Sequence, residues 1–224
     1  MCLPAIFTEK GWKRWAEDNP NTRSEMIQRL AQLAPEWNDV ERRLSGMDDL
    51  LATLEDLNGD KRAFGFKQHF GKPGRSSTQQ IIDLKLPTLI LDRSNVLACY
   101  SSSKIAKKTG QGSLIDPAKR RRAKVDFVPD EFSLFLARRR KIDKHWNGEL
   151  EKTGVDTMTL EYNEARTLAG MERVAEFLGQ EAGKFGDWGT AKRNSNNILS
   201  RFSNPDNAEA YLEAHDLMDW AEEN

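Results

Sequence analysis

Among 224 residues, the chemistry concentrates in one run, Leu89-Ile90-Leu91-Asp92-Arg93-Ser94-Asn95-Val96-Leu97-Ala98-Cys99-Tyr100-Ser101. An apolar segment ends in an arginine, and a serine follows eight residues later on the next predicted helix. A planar guanidinium offers paired donors to a phosphate, and a nearby hydroxyl adds one more. Arg93 also has a plainer reading, as the ion-pair partner of Asp92 or Asp83. Upstream lies Phe66-Lys67-Gln68-His69, with His69 placed 24 residues before Arg93. A neutral imidazole there takes a proton from a hydroxyl or amine, or else it is simply a hydrogen-bonded strand-end residue. Gly71-Lys72-Pro73-Gly74-Arg75-Ser76-Ser77-Thr78 has the composition of a phosphate cradle ahead of a helix. Gly/Ser turns at helix starts are also ordinary.

The elements that must position these groups follow from pattern. Ser24 caps a predicted helix through Leu33, Pro35 begins another that stops at Gly46, and a third spans Met47 to Leu57. Ala63 to Phe70 reads as a strand, Ser77 to Leu84 as a short helix, and Pro87 to Asp92 as a buried parallel strand. Ser94 is the expected cap of a helix ending at Thr109 before Gly110. Gln111 to Asp126 is polar, basic and aperiodic, so a mobile loop is expected. A long helix starts at Pro129 or Asp130 and runs through Trp146, carrying Phe132, Phe135, Leu136, Ile142 and Trp146. Val155 to Leu160 is the third strand, and Met171 to Leu178 a helix. Gly179 to Thr190 is a loop, and two terminal helices close the chain, the last over Asn207 to Glu223. Alternating strands and helices predict an α/β fold, three-layered, with a small parallel sheet flanked by helices. One domain over 1–224 is expected, with a helical lead-in over 1–60 and a sheet-containing part over 61–224. No strand with a glycine turn is found ahead of Arg62, so the fold is expected to be incomplete at its N-terminus.

Composition excludes several classes. Lys and Arg number 34 against 35 Asp and Glu, and no apolar run approaches a membrane span of about 20 residues. The first residues reach Glu9 without a basic stretch, which argues against a signal peptide. Cys2 and Cys99 form neither a disulfide framework nor a zinc spacing, so a reducing, cytoplasmic setting is expected. Cys99, inside a helix, is expected to be inert. The near balance of charge hides segregation: Lys104 to Lys144 holds thirteen Lys/Arg against five Asp/Glu, and Ser203 to Asn224 holds seven acids and no Lys or Arg. The basic stretch suits a polyanion, or a solvated Lys119–Arg122 loop with Arg138 to Lys141 paired to the acidic tail. No RNA-binding aromatic motif or helix-turn-helix pattern accompanies it, which argues against nucleic acid.

An apolar strand, then Arg93, then Ser101 resembles the 3′-phosphate motif of sulfotransferases that use 3′-phosphoadenosine 5′-phosphosulfate (PAPS). Three further segments resemble that family in order. Lys67-Gln68-His69 is similar to its Lys-x-His strand end, Thr157 to Glu164 to its strand ending in Tyr-Glu-Asp, and Gly183-Lys184-Phe185-Gly186-Asp187-Trp188 to its Gly-x-x-Gly-Asp-Trp loop. The resemblance covers Phe64 to the C-terminus. It implies a nucleotide-kinase-like, P-loop-like fold in which His69 is the catalytic base and Lys67 neutralises the transferring sulfuryl group. Arg93 and Ser101 would hold the 3′-phosphate, with Gly183 in the loop over the nucleotide. The two basic residues that usually precede that loop are here Glu181 and Ala182, and Lys192 and Arg193 are the substitutes. The acceptor would be a small molecule or carbohydrate bearing a hydroxyl or amine, and no metal is implied. The family's phosphosulfate turn is absent between Met1 and Asp60, so a non-catalytic remnant is the alternative enzyme-free reading, beside a basic-surface polyanion or nucleic-acid binder using Lys104 to Lys144.

Overall fold

The computed structural model describes residues 2–3, 34–39, 42, 45–58, 65–66, 76–112, 114, 116–181 and 192–223. The predicted helix over Ser24 to Leu33, Lys67, His69, the Gly71–Arg75 part of the glycine-rich turn and Gly183 lie outside the described residues. The chain divides into two compact units, Met1–Leu86 with Lys144–Asp156, and Pro87–Asp143 with Thr157–Asn224.

In the first unit, strand β1 (Cys2–Leu3) pairs in parallel with β2 (Gly65–Phe66), Cys2 opposite Gly65 and Leu3 opposite Phe66. A two-residue strand thus precedes Arg62, too short to show alternation in the sequence. Helix α1 (Met47–Asn58) buries Met47, Leu50 and Leu54, the i, i+3, i+7 stripe of an amphipathic helix. Pro35–Asn38 is a single 3₁₀ turn that buries Trp37. Helix α2 (Ser76–Asp83) buries Thr78 and Ile82.

The second unit holds the parallel pair β3 (Thr88–Asp92) and β4 (Thr157–Glu161), in register from Thr88 opposite Thr157 to Asp92 opposite Glu161. The chain is thus mixed α/β with small parallel sheets, as expected at that level. β3 is not buried on both faces: Leu89 and Leu91 are exposed. Helix α3 (Val96–Thr109) is capped by Asn95, whose side chain accepts from the Ala98 N–H at 2.9 Å, rather than by Ser94. Gly110, at φ 68°, supplies the left-handed residue that ends it.

Helix α4 (Pro129–Thr153) opens with proline and two acids, and it runs past the expected end at Trp146. Its last part, from Lys144, belongs to the first unit, where Trp146 and Leu150 share a buried face, and Gly154 at φ 65° ends it. Helix α5 (Leu168–Phe177) is capped by Thr167. Helix α6 (Pro205–Ala214) replaces most of the single long terminal helix expected: the chain turns at Asp216, φ 55°, with Leu217 N–H on Leu212 O, and a 3₁₀ turn over Met218–Ala221 follows.

The core of this unit gathers Val96, Leu97, Tyr100, Phe127, Phe132, Leu136, Ile198, Phe202 and Leu212. Phe132 lies at its centre, 5.3 Å from Tyr100, 5.5 Å from Phe127 and 5.4 Å from Tyr211 between ring centroids. The Gln111–Asp126 stretch is irregular apart from a 3₁₀ turn at Pro117–Lys119, but its end is anchored. Val125 bridges Phe202, taking the Ser203 N–H on its carbonyl and donating to Arg201 O. Asn204 closes both backbone groups of Phe127.

Candidate anion-binding site

Strand β3 delivers Arg93 just beyond its carboxyl end, and β4 delivers Tyr162 beside it. The Arg93 guanidinium lies 4.5 Å from the centroid of the Tyr162 ring, a cation–π contact. Arg93 does not pair with its neighbour Asp92. Asp92 is held by Arg139, which also grips Asp143. Asp83 accepts from Gln79. The partner of Arg93 is Glu223, 130 residues away: Nε donates to Oε1 at 2.5 Å and the terminal nitrogen to Oε2 at 2.6 Å. This is the bidentate fork that a guanidinium makes with a carboxylate or a phosphate.

Two more cations converge on the same carboxylate. Lys192 Nζ lies 3.3 Å and Arg201 3.7 Å from Glu223 Oε2. Burial alone would lower the Arg93 pKa, but the bond to Glu223 and its charge outweigh this and raise it. Burial likewise disfavours the charged form of Glu223, yet Arg93 and Lys192 hold its carboxyl below the usual range. Arg201 has less compensation: burial and the neighbouring Arg93 charge push it down to about 10. Arg193 is lowered by burial as well, with Arg93 again adverse. Three cations thus lie within 4 Å of one carboxylate, with Arg193 near Arg93 and Arg201, while a second carboxylate, Glu161, accepts the Ser94 N–H beside Arg93.

Ser101 takes part through Arg201. It is fully buried, and its hydroxyl donates to Ala98 O at 3.1 Å on its own helix. Its oxygen accepts from Arg201 at 3.0 Å, and Ser102 Oγ lies 3.4 Å from the same nitrogen. The other edge of the Arg201 guanidinium donates to Ser195 O. Ser101 therefore orients an arginine that faces the Glu223 carboxylate. Of the expected substitutes, Lys192 reaches the carboxylate directly. Arg193 donates to Gln111 O and Ser102 O beside it.

Glu223 is presented by its backbone. Its N–H donates to Asn196 O, Asn197 and Glu222 form an antiparallel bridge, and Ile198 N–H donates to Ala221 O. Asn95, whose Oδ1 caps α3, uses Nδ2 to hold Trp220 O at 3.1 Å and Glu222 O at 3.0 Å.

The acidic tail thus contributes Glu223 to Arg93, Lys192 and Arg201, and not to the Arg138–Lys141 run. Arg138, Arg140 and Lys141 are exposed, as are Lys119 to Arg122. Cys99 fits an inert thiol, half-buried, with burial raising its pKa.

Arg201, Tyr162 and Glu223 are the residues that sequence reasoning did not assign to the site. Arg201 carried a signal, a charge inside Ile198-Leu199-Ser200-Arg201-Phe202, where a buried arginine must find partners. Glu223 carried none that sets it apart from the six other acids of the tail. Among the described residues no cluster of His, Cys, Asp or Glu is placed to hold a metal ion. No helix among them is long and apolar enough to cross a membrane. Comparison with protein-family models, curated proteins and solved structures finds no match to this chain.

Proposed function

We propose that this chain is a sulfotransferase-like protein that binds PAPS and transfers its sulfuryl group to a hydroxyl or amine of a small-molecule or carbohydrate acceptor. The observation that supports the reading is the convergence of Arg93, Lys192 and Arg201 on one carboxylate beyond the carboxyl end of a parallel strand. A carboxylate held by a guanidinium fork marks donors set at the spacing of two anionic oxygens, and a phosphate monoester presents the same pair with more charge. Open α/β sheets bind ligands at this end of their strands.

In this reading Arg93, Lys192 and Arg201 hold the 3′-phosphate, and Ser101 fixes Arg201. His69 takes the acceptor proton as the acceptor atom bonds to sulfur and the bond from sulfur to the phosphate oxygen breaks. By the same resemblance, Lys67 would neutralise charge on the transferring sulfuryl group. Calorimetry with 3′,5′-diphosphoadenosine tests the site: Arg93→Ala should weaken binding more than tenfold, and equal affinity in mutant and wild type refutes the assignment.

A second reading rests on the exposed Arg120, Arg121, Arg122 and Lys124, close to the equally exposed Lys107 and Lys108. Such a surface fits a polyanion. Heparin binding that survives Arg93→Ala and disappears when Arg120, Arg121 and Arg122 are neutralised would favour it.

A further inference from the structure

The cluster read above as a phosphate site is already filled, and by the chain itself. Glu223 sits on Arg93 as two phosphate oxygens would sit, with both of its oxygens engaged and its side chain buried. A core ion pair needs one cation for one carboxylate, whereas this carboxylate has three within 4 Å, and Arg193 is held on Ser102 O beside the hydroxyl that faces Arg201. A single negative charge leaves that group under-neutralised, and a dianion would match it better.

The segment carrying Glu223 is held through its backbone by the Glu223 N–H to Asn196 O, the Ile198 N–H to Ala221 O and the two Asn95 contacts, while the neighbouring Leu217, Trp220 and Ala221 pack against the core.

We propose that Glu223 is an internal competitor for the Arg93–Lys192–Arg201 site, seated there until a dianionic phosphate monoester expels it and frees the backbone around Glu222 and Glu223. The inference rests on the phosphate reading and adds to it a charge threshold. A tethered carboxylate acts at an effective concentration on the order of millimolar or above. Singly charged anions exchange one charge for one and do not displace it, whereas a dianion gains the interactions that Glu223 leaves unused. Ligand affinity scales with the fraction of molecules in which the carboxylate is unseated.

The test titrates 3′,5′-diphosphoadenosine into wild type, Glu223→Gln and Arg93→Ala, and follows hydrogen exchange of the Glu223 and Ile198 amides in the wild type. Glu223→Gln should bind at least tenfold more tightly than wild type, and ligand should speed exchange of the Glu223 amide. A merely structural ion pair predicts the reverse, weaker binding or none when its partner is lost. Equal or weaker binding by a folded Glu223→Gln overturns the competitor while leaving the phosphate reading intact if Arg93→Ala still weakens binding. Absence of binding in all three proteins, or equal binding by wild type and Arg93→Ala, removes the phosphate reading and the competitor with it. Should Glu223→Gln fail to fold, the wild-type exchange decides: unchanged or slower exchange at Glu223 on saturation overturns the proposal.

Discussion

Replacing Arg93 by Met, alone and together with Glu223→Gln, measures how far strand β3 and the distant Glu223 segment act as one unit. The Arg93 side chain is 17% exposed and that of Glu223 3%, so the pair is poorly screened by solvent. Removing one partner of a buried pair costs about 3–5 kcal/mol, because the other is left charged and out of water. Here Lys192 at 3.3 Å and Arg201 at 3.7 Å still face the carboxylate and offset part of that. The expected loss for Arg93→Met is therefore about 2–3 kcal/mol. In a chain of this length that corresponds to a fall in Tm of about 4–12 °C.

The double mutant should lose less than the sum of the single losses by about 1–3 kcal/mol, the signature of residues in one network. Urea unfolding at pH 7 followed by circular dichroism supplies the cycle. Additivity within about 0.5 kcal/mol would refute the claim that the fork couples the two segments. The pH dependence gives a second check. Arg93 and Lys192 overcome burial and hold the Glu223 pKa down. Its contribution is therefore fully present above the unfolded value of about 4.3, and it is lost as pH falls through the lower folded value. Glu223→Gln should remove that part of the acid limb and leave the rest.

Asn95→Ala removes both the cap of α3 and the clamp on Trp220 O and Glu222 O, and should cost about 2 kcal/mol by urea unfolding; a loss below about 0.5 kcal/mol would show that water replaces both bonds. Gly170→Ala places a methyl against the Glu164 backbone oxygen, so it should lower Tm where Gly148→Ala, with open space around it, does not. Phe132→Ala empties the centre of the aromatic cluster and should cost about 3–5 kcal/mol; near-UV circular dichroism unchanged from wild type would contradict that packing.

Much of the second unit was readable from pattern. Apolar Pro87 to Asp92 became β3, Gly110 ended α3, and Pro129 with Asp130 and Glu131 opened α4, because caps, breakers and periodicity act over a few residues. Boundaries failed where a tertiary contact outweighed the local signal. Asn95 displaced Ser94 as cap because its amide also reaches Trp220 and Glu222, and α4 outran Gly148 because Leu150 shares a buried face with Trp146. The terminal helix broke at Asp216, where a left-handed residue lets the chain turn back and bring Glu223 to Arg93.

By itself, then, the amino-acid order determined which residue types stand at the end of β3 and which faces of the helices are apolar. That Arg93 pairs with Glu223, and not with its neighbour Asp92, was decided only by folding. A guanidinium binds whichever anion the fold brings within about 3 Å. Here that anion is a carboxylate 130 positions along the chain, in a tail of seven acids that no local pattern tells apart.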